Sequence, residues 1–89
     1  MRLQDQVKPL LIKYGVKRAA FFGSIVRGDF DEDSDVDILI EPPRGMGIKF
    51  IALKHELEDL LQKKVDLASY NGLDKYLKPH ILKHQQPIL

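Results

Sequence analysis

Asp35 and Asp37 are separated by one residue in a stretch where Val36, Ile38 and Ile40 alternate with Asp35, Asp37 and Leu39, the period-2 pattern of a β-strand. Residues i and i+2 of a strand point the same way about 6.8 Å apart, so the two carboxylates share one face. If Val36, Ile38 and Ile40 turn toward packed helices, both acids turn away from the core. Asp66 repeats the pattern between Val65 and Leu67, an acid in a segment otherwise made for burial. Three carboxylates on one side of neighbouring strands repel and shift one another's ionisation unless a cation joins them. Hard oxygen ligands in this number, with no histidine beside them, favour Mg²⁺ or Mn²⁺.

Upstream, Phe22-Gly23-Ser24 places a residue without a side chain, then a hydroxyl, directly after the short apolar run Ala19 to Phe22. Glycine lets the backbone approach an anion closely, Ser24 offers its hydroxyl, and a helix starting here would add free N–H groups. Arg27, three residues on, returns to the same side and supplies a bidentate phosphate donor. A Gly-Ser pair alone is only a turn signal. Its combination with a ten-residue gap, Asp35-x-Asp37 and a third strand acid at Asp66 is the informative pattern.

The elements that must position these residues are legible from periodicity. Leu3, Val7, Leu10, Leu11 and Tyr14 form the stripe of an amphipathic helix that Gly15 ends with positive φ. Pro9 should kink it or mark the start of its second half. Strands follow at Ala19 to Phe22 and Val36 to Ile40, the latter stopped by Pro42-Pro43. A helix is expected over 47–63, a strand over 64–68, a turn at Asn71-Gly72, and a last helical stretch over about 73–85 with Pro79 as a breaker. The order predicts an α/β (α+β) domain over residues 1–89: a small mixed sheet with helices packed mainly on one face.

Composition bounds the function. At 89 residues, with 44% apolar and 30% charged, the chain is one ordinary globular domain, and no apolar run approaches the roughly 20 residues of a membrane span. Without cysteine, neither disulfides nor thiolate metal sites are possible, and without a secretory signal a cytoplasmic location is expected. Such a small chain buries only about 60% of its unfolded surface, which makes homo- or hetero-oligomers plausible. The net charge of +1 conceals seven acids between Gly28 and Glu41 with no base among them, leaving fourteen basic against six acidic residues elsewhere. An acidic centre in a basic body reads either as an acidic surface loop or as a site for a cation with surroundings suited to a polyphosphate, and composition alone does not choose between them. The basic residues are scattered without aromatic interleaving, so direct nucleic-acid binding is not expected.

Other motifs have plainer readings. Asp29, Asp31 and Asp33 match the first ligands of a calcium loop, but the required glycine is Ser34 and the required glutamate is Ile40. Arg27-Gly28-Asp29 spells an adhesion tripeptide without meaning in a cytoplasmic chain. His80 and His84 have the i,i+4 spacing of half a metal site, yet with no acid between or nearby they read as solvated helix positions. Tyr14, Tyr70 and Tyr76 read as core or boundary aromatics.

Gly23-Ser24-Ile25-Val26-Arg27-Gly28 followed by Ser34-Asp35-Val36-Asp37-Ile38 resembles the signature of the minimal nucleotidyltransferases, small relatives of DNA polymerase β and the antibiotic nucleotidyltransferases. The likeness extends over nearly the whole chain, including Lys64-Val65-Asp66-Leu67. Val26 stands where alanine is usual, a change of packing and not of chemistry. The resemblance implies the polymerase β-like fold and transfer of AMP from ATP. Asp35 and Asp37 would hold Mg²⁺, and Asp66 would help bind a second ion and act as base. Gly23, Ser24, Arg27 and Ser34 would lie along the nucleotide. It further implies an antitoxin that modifies a tyrosine of a HEPN-domain RNase toxin. A noncatalytic binding antitoxin, or transfer to a small molecule or RNA end, are the alternatives.

Overall fold

The computed structural model describes residues 2–28, 31 and 33–89, so Asp29 of the calcium-loop and adhesion patterns lies outside the described residues. Helix α1 (Leu3–Lys13) leads into β1 (Arg18–Phe22), a single helical turn α2 (Ser24–Arg27) and β2 (Val36–Glu41). Helix α3 (Lys49–Leu61), β3 (Val65–Ser69), a 3-10 turn (Tyr70–Gly72), α4 (Lys78–Lys83) and the two-residue β4 (Gln86–Pro87) complete the chain. The sheet order is β3-β2-β1-β4, with β2 antiparallel to β1 and parallel to β3. It is the mixed sheet expected from the element order.

Alternation along the strands decides where the core sits. Ala19 and Phe21 of β1, Val36, Ile38 and Ile40 of β2, and Val65 and Leu67 of β3 meet Val7 and Leu11 of α1 and Leu53 and Leu57 of α3 in one apolar cluster. Each fully buried aliphatic or aromatic side chain contributes on the order of 1.5–3 kcal/mol, so this layer carries the fold. Ala20 and Leu39 are equally buried but lie outside that cluster, on the opposite face. That face is therefore partly covered too, and α4 shares a cleft with its acid-bearing end while α1 and α3 cover the first face.

The join between α3 and β3 is held tightly. Gln62 ends the helix in the left-handed region at φ 54°, its N–H bonding the Glu58 carbonyl at 2.8 Å, while its side chain donates to the Asp59 carbonyl. Glu58 then accepts the Val65 N–H at 3.1 Å, and the Val36 N–H reaches the Lys64 carbonyl at 2.9 Å. These bonds set the parallel register in which Asp37 pairs with Asp66.

Three expectations need correction. Helix α1 runs through Pro9 as one element, so of the two expected outcomes, a kink or a new start, the new start is the one corrected, Val7, Leu10 and Leu11 burying one stripe across the proline. The last helix spans only Lys78–Lys83, because Asp74 first caps a turn: its side chain accepts the Tyr76 N–H at 2.8 Å and its carbonyl the Lys78 N–H at 2.8 Å. Pro79 then sits in the first turn of α4, where a missing N–H costs nothing, so it starts this helix instead of breaking it. The third is β4, absent from the expected order. Two residues are too few for any period, and Pro87 is tolerable only because the strand is an edge. The Ile88 and Leu89 N–H groups both donate to the Ala19 carbonyl, and Ile88 joins the core.

Pro9 has no N–H for the Asp5 carbonyl four residues back, so α1 is missing one internal bond. Pro9→Ala should raise unfolding stability by about 1–2 kcal/mol, the restored bond outweighing the greater freedom of the unfolded chain. Urea denaturation measures this, and a variant less stable than the parent would show that the proline ring itself supports the fold.

Candidate functional site

Beyond the carboxyl end of β1 and over the acid-bearing face of the sheet lies a cleft of about 510 Å³. Its walls bring together Phe22, Gly23, Val26, Arg27, Asp37 and Asp66 with His80, Ile81 and His84 from α4. A second depression of about 470 Å³ between α1 and α3 holds Glu56 and Asp59. There Glu56 pairs with Lys13 at 3.5 Å, an ordinary helix-to-helix link, and the neighbouring Tyr14 hydroxyl, then Lys13, hold its carboxyl below the usual range. The first cleft is the one where strand acids meet Gly23 and Arg27.

The floor follows from strand register. Asp37 and Asp66 are direct partners across the parallel β2–β3 pair, so their side chains leave the sheet side by side on the face away from the main core. Burial pushes the Asp37 carboxyl above its usual range, the negative charges of Asp66 and Asp35 push it further, and Arg27 pulls weakly the other way. Asp37 is half-buried whereas Asp35 and Asp66 are exposed, so Asp37 is the acid on which the neighbouring charges converge.

Gly23 forms the corner between β1 and α2 at φ 71° and ψ −138°, a combination that residues with a Cβ rarely adopt. A Cβ at this position would collide with the Asp37 carboxylate oxygen and come within 3.0 Å of its Cγ. The first anion this glycine admits is therefore the chain's own Asp37. Ser24 begins α2, and its carbonyl takes the Gly28 N–H at 3.0 Å. Arg27, at the end of the same turn, lines the cleft as its spacing from Ser24 suggests.

Not every expected site residue lines the cavity. Ser24 and Asp35 stand beside it in the chain, and Asp35 is felt there through its charge on Asp37. The Ser34 hydroxyl is engaged within its own loop, donating to Asp31 Oδ1 and accepting the Asp31 N–H, both at 3.1 Å. Asp31 Oδ1 also takes the Asp33 N–H at 2.9 Å, and Lys63 Nζ reaches the Asp31 carbonyl at 3.4 Å. Ser34 thus braces the approach to Asp35.

His80 and His84 are exposed, as solvated helix positions should be, but the acids missing from their sequence neighbourhood face them across the cleft. Their i,i+4 spacing was the available signal. What was hidden is that α4 folds back over β2 and β3. Tyr70 is buried and donates to Gln85 Oε1 at 2.7 Å, as a core aromatic does, whereas Tyr76 is 80% exposed and is no part of the core.

The nucleotidyltransferase domain family matches residues 3–88 of the chain. A Methanocaldococcus jannaschii chain provisionally named a protein adenylyltransferase is 41% identical over 88 residues, covering 98% of this chain and 95% of its own. The Thermococcus cleftensis protein adenylyltransferase MntA is 40% identical over 77 residues, 85% of this chain and 78% of its own. Among solved structures, one provisionally described as a minimal nucleotidyltransferase superposes with a TM-score of 0.83 at 34% identity, covering 98% of this chain and 96% of that one. A complex of tri-AMPylated Shewanella oneidensis HEPN toxin with MNT antitoxin contains a chain of the same fold, at TM-score 0.75 and 18% identity, covering 98% and 69%. The family match spans nearly the whole chain and the likeness to these relatives runs over most of their own length, and the chain belongs to the nucleotidyltransferase domain family in its polymerase β-like fold.

Proposed function

We propose that the chain transfers AMP from ATP to a tyrosine hydroxyl of a partner HEPN-domain RNase toxin and silences it. The observation that carries this reading is the pairing of Asp37 with Asp66 in one cleft with Gly23 and Arg27. Relatives named protein adenylyltransferases, and the complex of AMPylated toxin with its antitoxin, support the choice of acceptor.

The donor set fits Mg²⁺. Its atoms are hard carboxylate oxygens, and at Asp37 burial first, then the charges of Asp66 and Asp35, disfavour the bare carboxylate, a cost that a bound cation would relieve. Mg²⁺ keeps several waters and takes phosphate oxygens, so the protein would supply only part of its shell. Asp35, Asp37 and Asp66 would hold two Mg²⁺ ions, or Mn²⁺ in their place. When bound, they would neutralise charge on the attacked phosphate and on the leaving pyrophosphate.

The chain's own groups do the rest. The Gly23 corner and the Ser24 hydroxyl would hold the β and γ phosphates, with Arg27 countering their charge, so that the α-phosphate faces Asp66. Asp66 would take the proton from the tyrosine hydroxyl as its oxygen bonds the α-phosphorus and the bond to the β-phosphate oxygen breaks. Pyrophosphate leaves and AMP stays on the tyrosine. Alignment and charge stabilisation supply most of the acceleration.

Incubating the chain and its HEPN partner with ATP and Mg²⁺ should add one or more AMP units to the partner, read by intact mass, and the modified toxin should remain inactive after the chain is removed. Asp66→Asn should still bind nucleotide but lose transfer by about 10²-fold or more. Neutralisation by Asp35→Asn/Asp37→Asn without any mass change would assign the chain to a binding antitoxin instead.

The raised Asp37 carboxyl also makes a prediction for the metal-free chain. A folded-state pKa above the unfolded value gives stability that is full below the unfolded pKa and lost as pH rises through the folded one. Asp37→Asn should therefore melt higher than the parent at pH 7 in chelator, with the gap closing in acid. Adding Mg²⁺ should raise the parent's melting temperature and leave the variant's nearly unchanged. A variant that melts lower at pH 7 would show that the ionised carboxylate stabilises the fold.

Gly23→Ala should lose nucleotide binding by at least about tenfold, since the new Cβ displaces Asp37 and strains the corner. Calorimetric titration with Mg·ATP reads this loss, and unchanged affinity would remove the corner from the site.

A further inference from the structure

The transfer chemistry makes no use of His80 and His84. They stand four residues apart at the end of α4, on the wall of the cleft facing Asp37 and Asp66. Among the described residues neither imidazole is held by a hydrogen bond or ion pair, and both are exposed. Their ring centroids lie 4.7 Å apart with the planes inclined at 54°. Face-to-face stacking would bring the planes near parallel. Two imidazole nitrogens bound at about 2.0–2.1 Å to one ion, with N–metal–N angles from square to tetrahedral, require ring centres roughly 4.5–5.2 Å apart. The observed separation falls within that interval, so the ring spacing is compatible with chelation once a nitrogen of each ring turns toward a shared ion.

We propose that His80 and His84 form a bidentate site for a borderline transition-metal ion, Zn²⁺ in the first instance, at the rim of the cleft. Imidazole nitrogen favours Zn²⁺, Co²⁺ and Ni²⁺, whereas the carboxylate floor favours Mg²⁺, so the two sides of one cleft would sort metals by ligand type. Among the described residues no third histidine, aspartate or glutamate completes a shell with the pair, and water or an anion in the cleft supplies the remaining ligands. The site stands on the helix geometry alone and does not require that the chain transfer AMP.

The test is calorimetric titration of the untagged full chain with Zn²⁺, together with the visible absorption of the Co²⁺ form. One equivalent should bind, unaffected by His55→Ala and persisting in a large excess of Mg²⁺. Because removing a direct ligand costs at least what removing its supporting partner does, His80→Ala and His84→Ala should each weaken binding by about tenfold or more. Both positions are exposed and alanine is helix-compatible, so circular dichroism should show intact folds, with His80→Gln and His84→Gln as a second pair. Zn²⁺ binding as tight in the histidine variants as in the parent, no binding by the parent, or displacement of Zn²⁺ by Mg²⁺ would each overturn the proposal.

Discussion

The side-by-side placement of Asp37 and Asp66 is the constraint around which the molecule is arranged. Two carboxylates leaving adjacent parallel strands from paired positions repel, and the half-burial of one adds a desolvation cost. A small domain with a stability of only about 5–15 kcal/mol accepts this arrangement only where other elements over-determine it. Here the determination comes from outside the cleft: Glu58 grips the start of β3, Lys64 receives β2, and Leu53 and Leu57 seat α3 against both strands. The acids are held in place by groups that never touch them.

The same division explains how the sheet serves two purposes. Its first face, under α1 and α3, is an aliphatic layer built by alternation, and its second carries the acids at one end with Ala20 and Leu39 buried beyond them. Mild cover from α4 leaves a cleft where complete cover would have filled it. The short, late start of that helix, set by the Asp74 turn and Pro79, places His80, Ile81 and His84 opposite the floor.

Most of this was legible in the residues. Period-2 runs around Asp37 and Asp66 and the helical stripe of α3 located the acid-bearing strands and the main core, because burial on one face imposes those periods. The Gly23 corner announced itself through its place after an apolar run. Local patterns could not show β4, whose pairing with β1 is a long-range event carried by two residues and by Ile88. Nor could they place the histidines across a cleft from the acids, since that depends on where a short helix lands after an irregular segment. Ser34 was placed by its position in a motif, and only the structure shows its hydroxyl spent on Asp31.

Gly23 leaves too little room beside Asp37 for a side chain to be added at position 23 while the acid keeps its place. The space that a side chain at position 23 would need is already filled by the acid, and the corner's positive φ adds an independent penalty. The two positions are therefore coupled, with effects that do not add when both are changed. A lineage that gave up the carboxylate would release the steric half of the restriction and keep the conformational half. Glycine could then persist at this corner as a backbone requirement after the acid had gone, so its presence by itself is no record of activity.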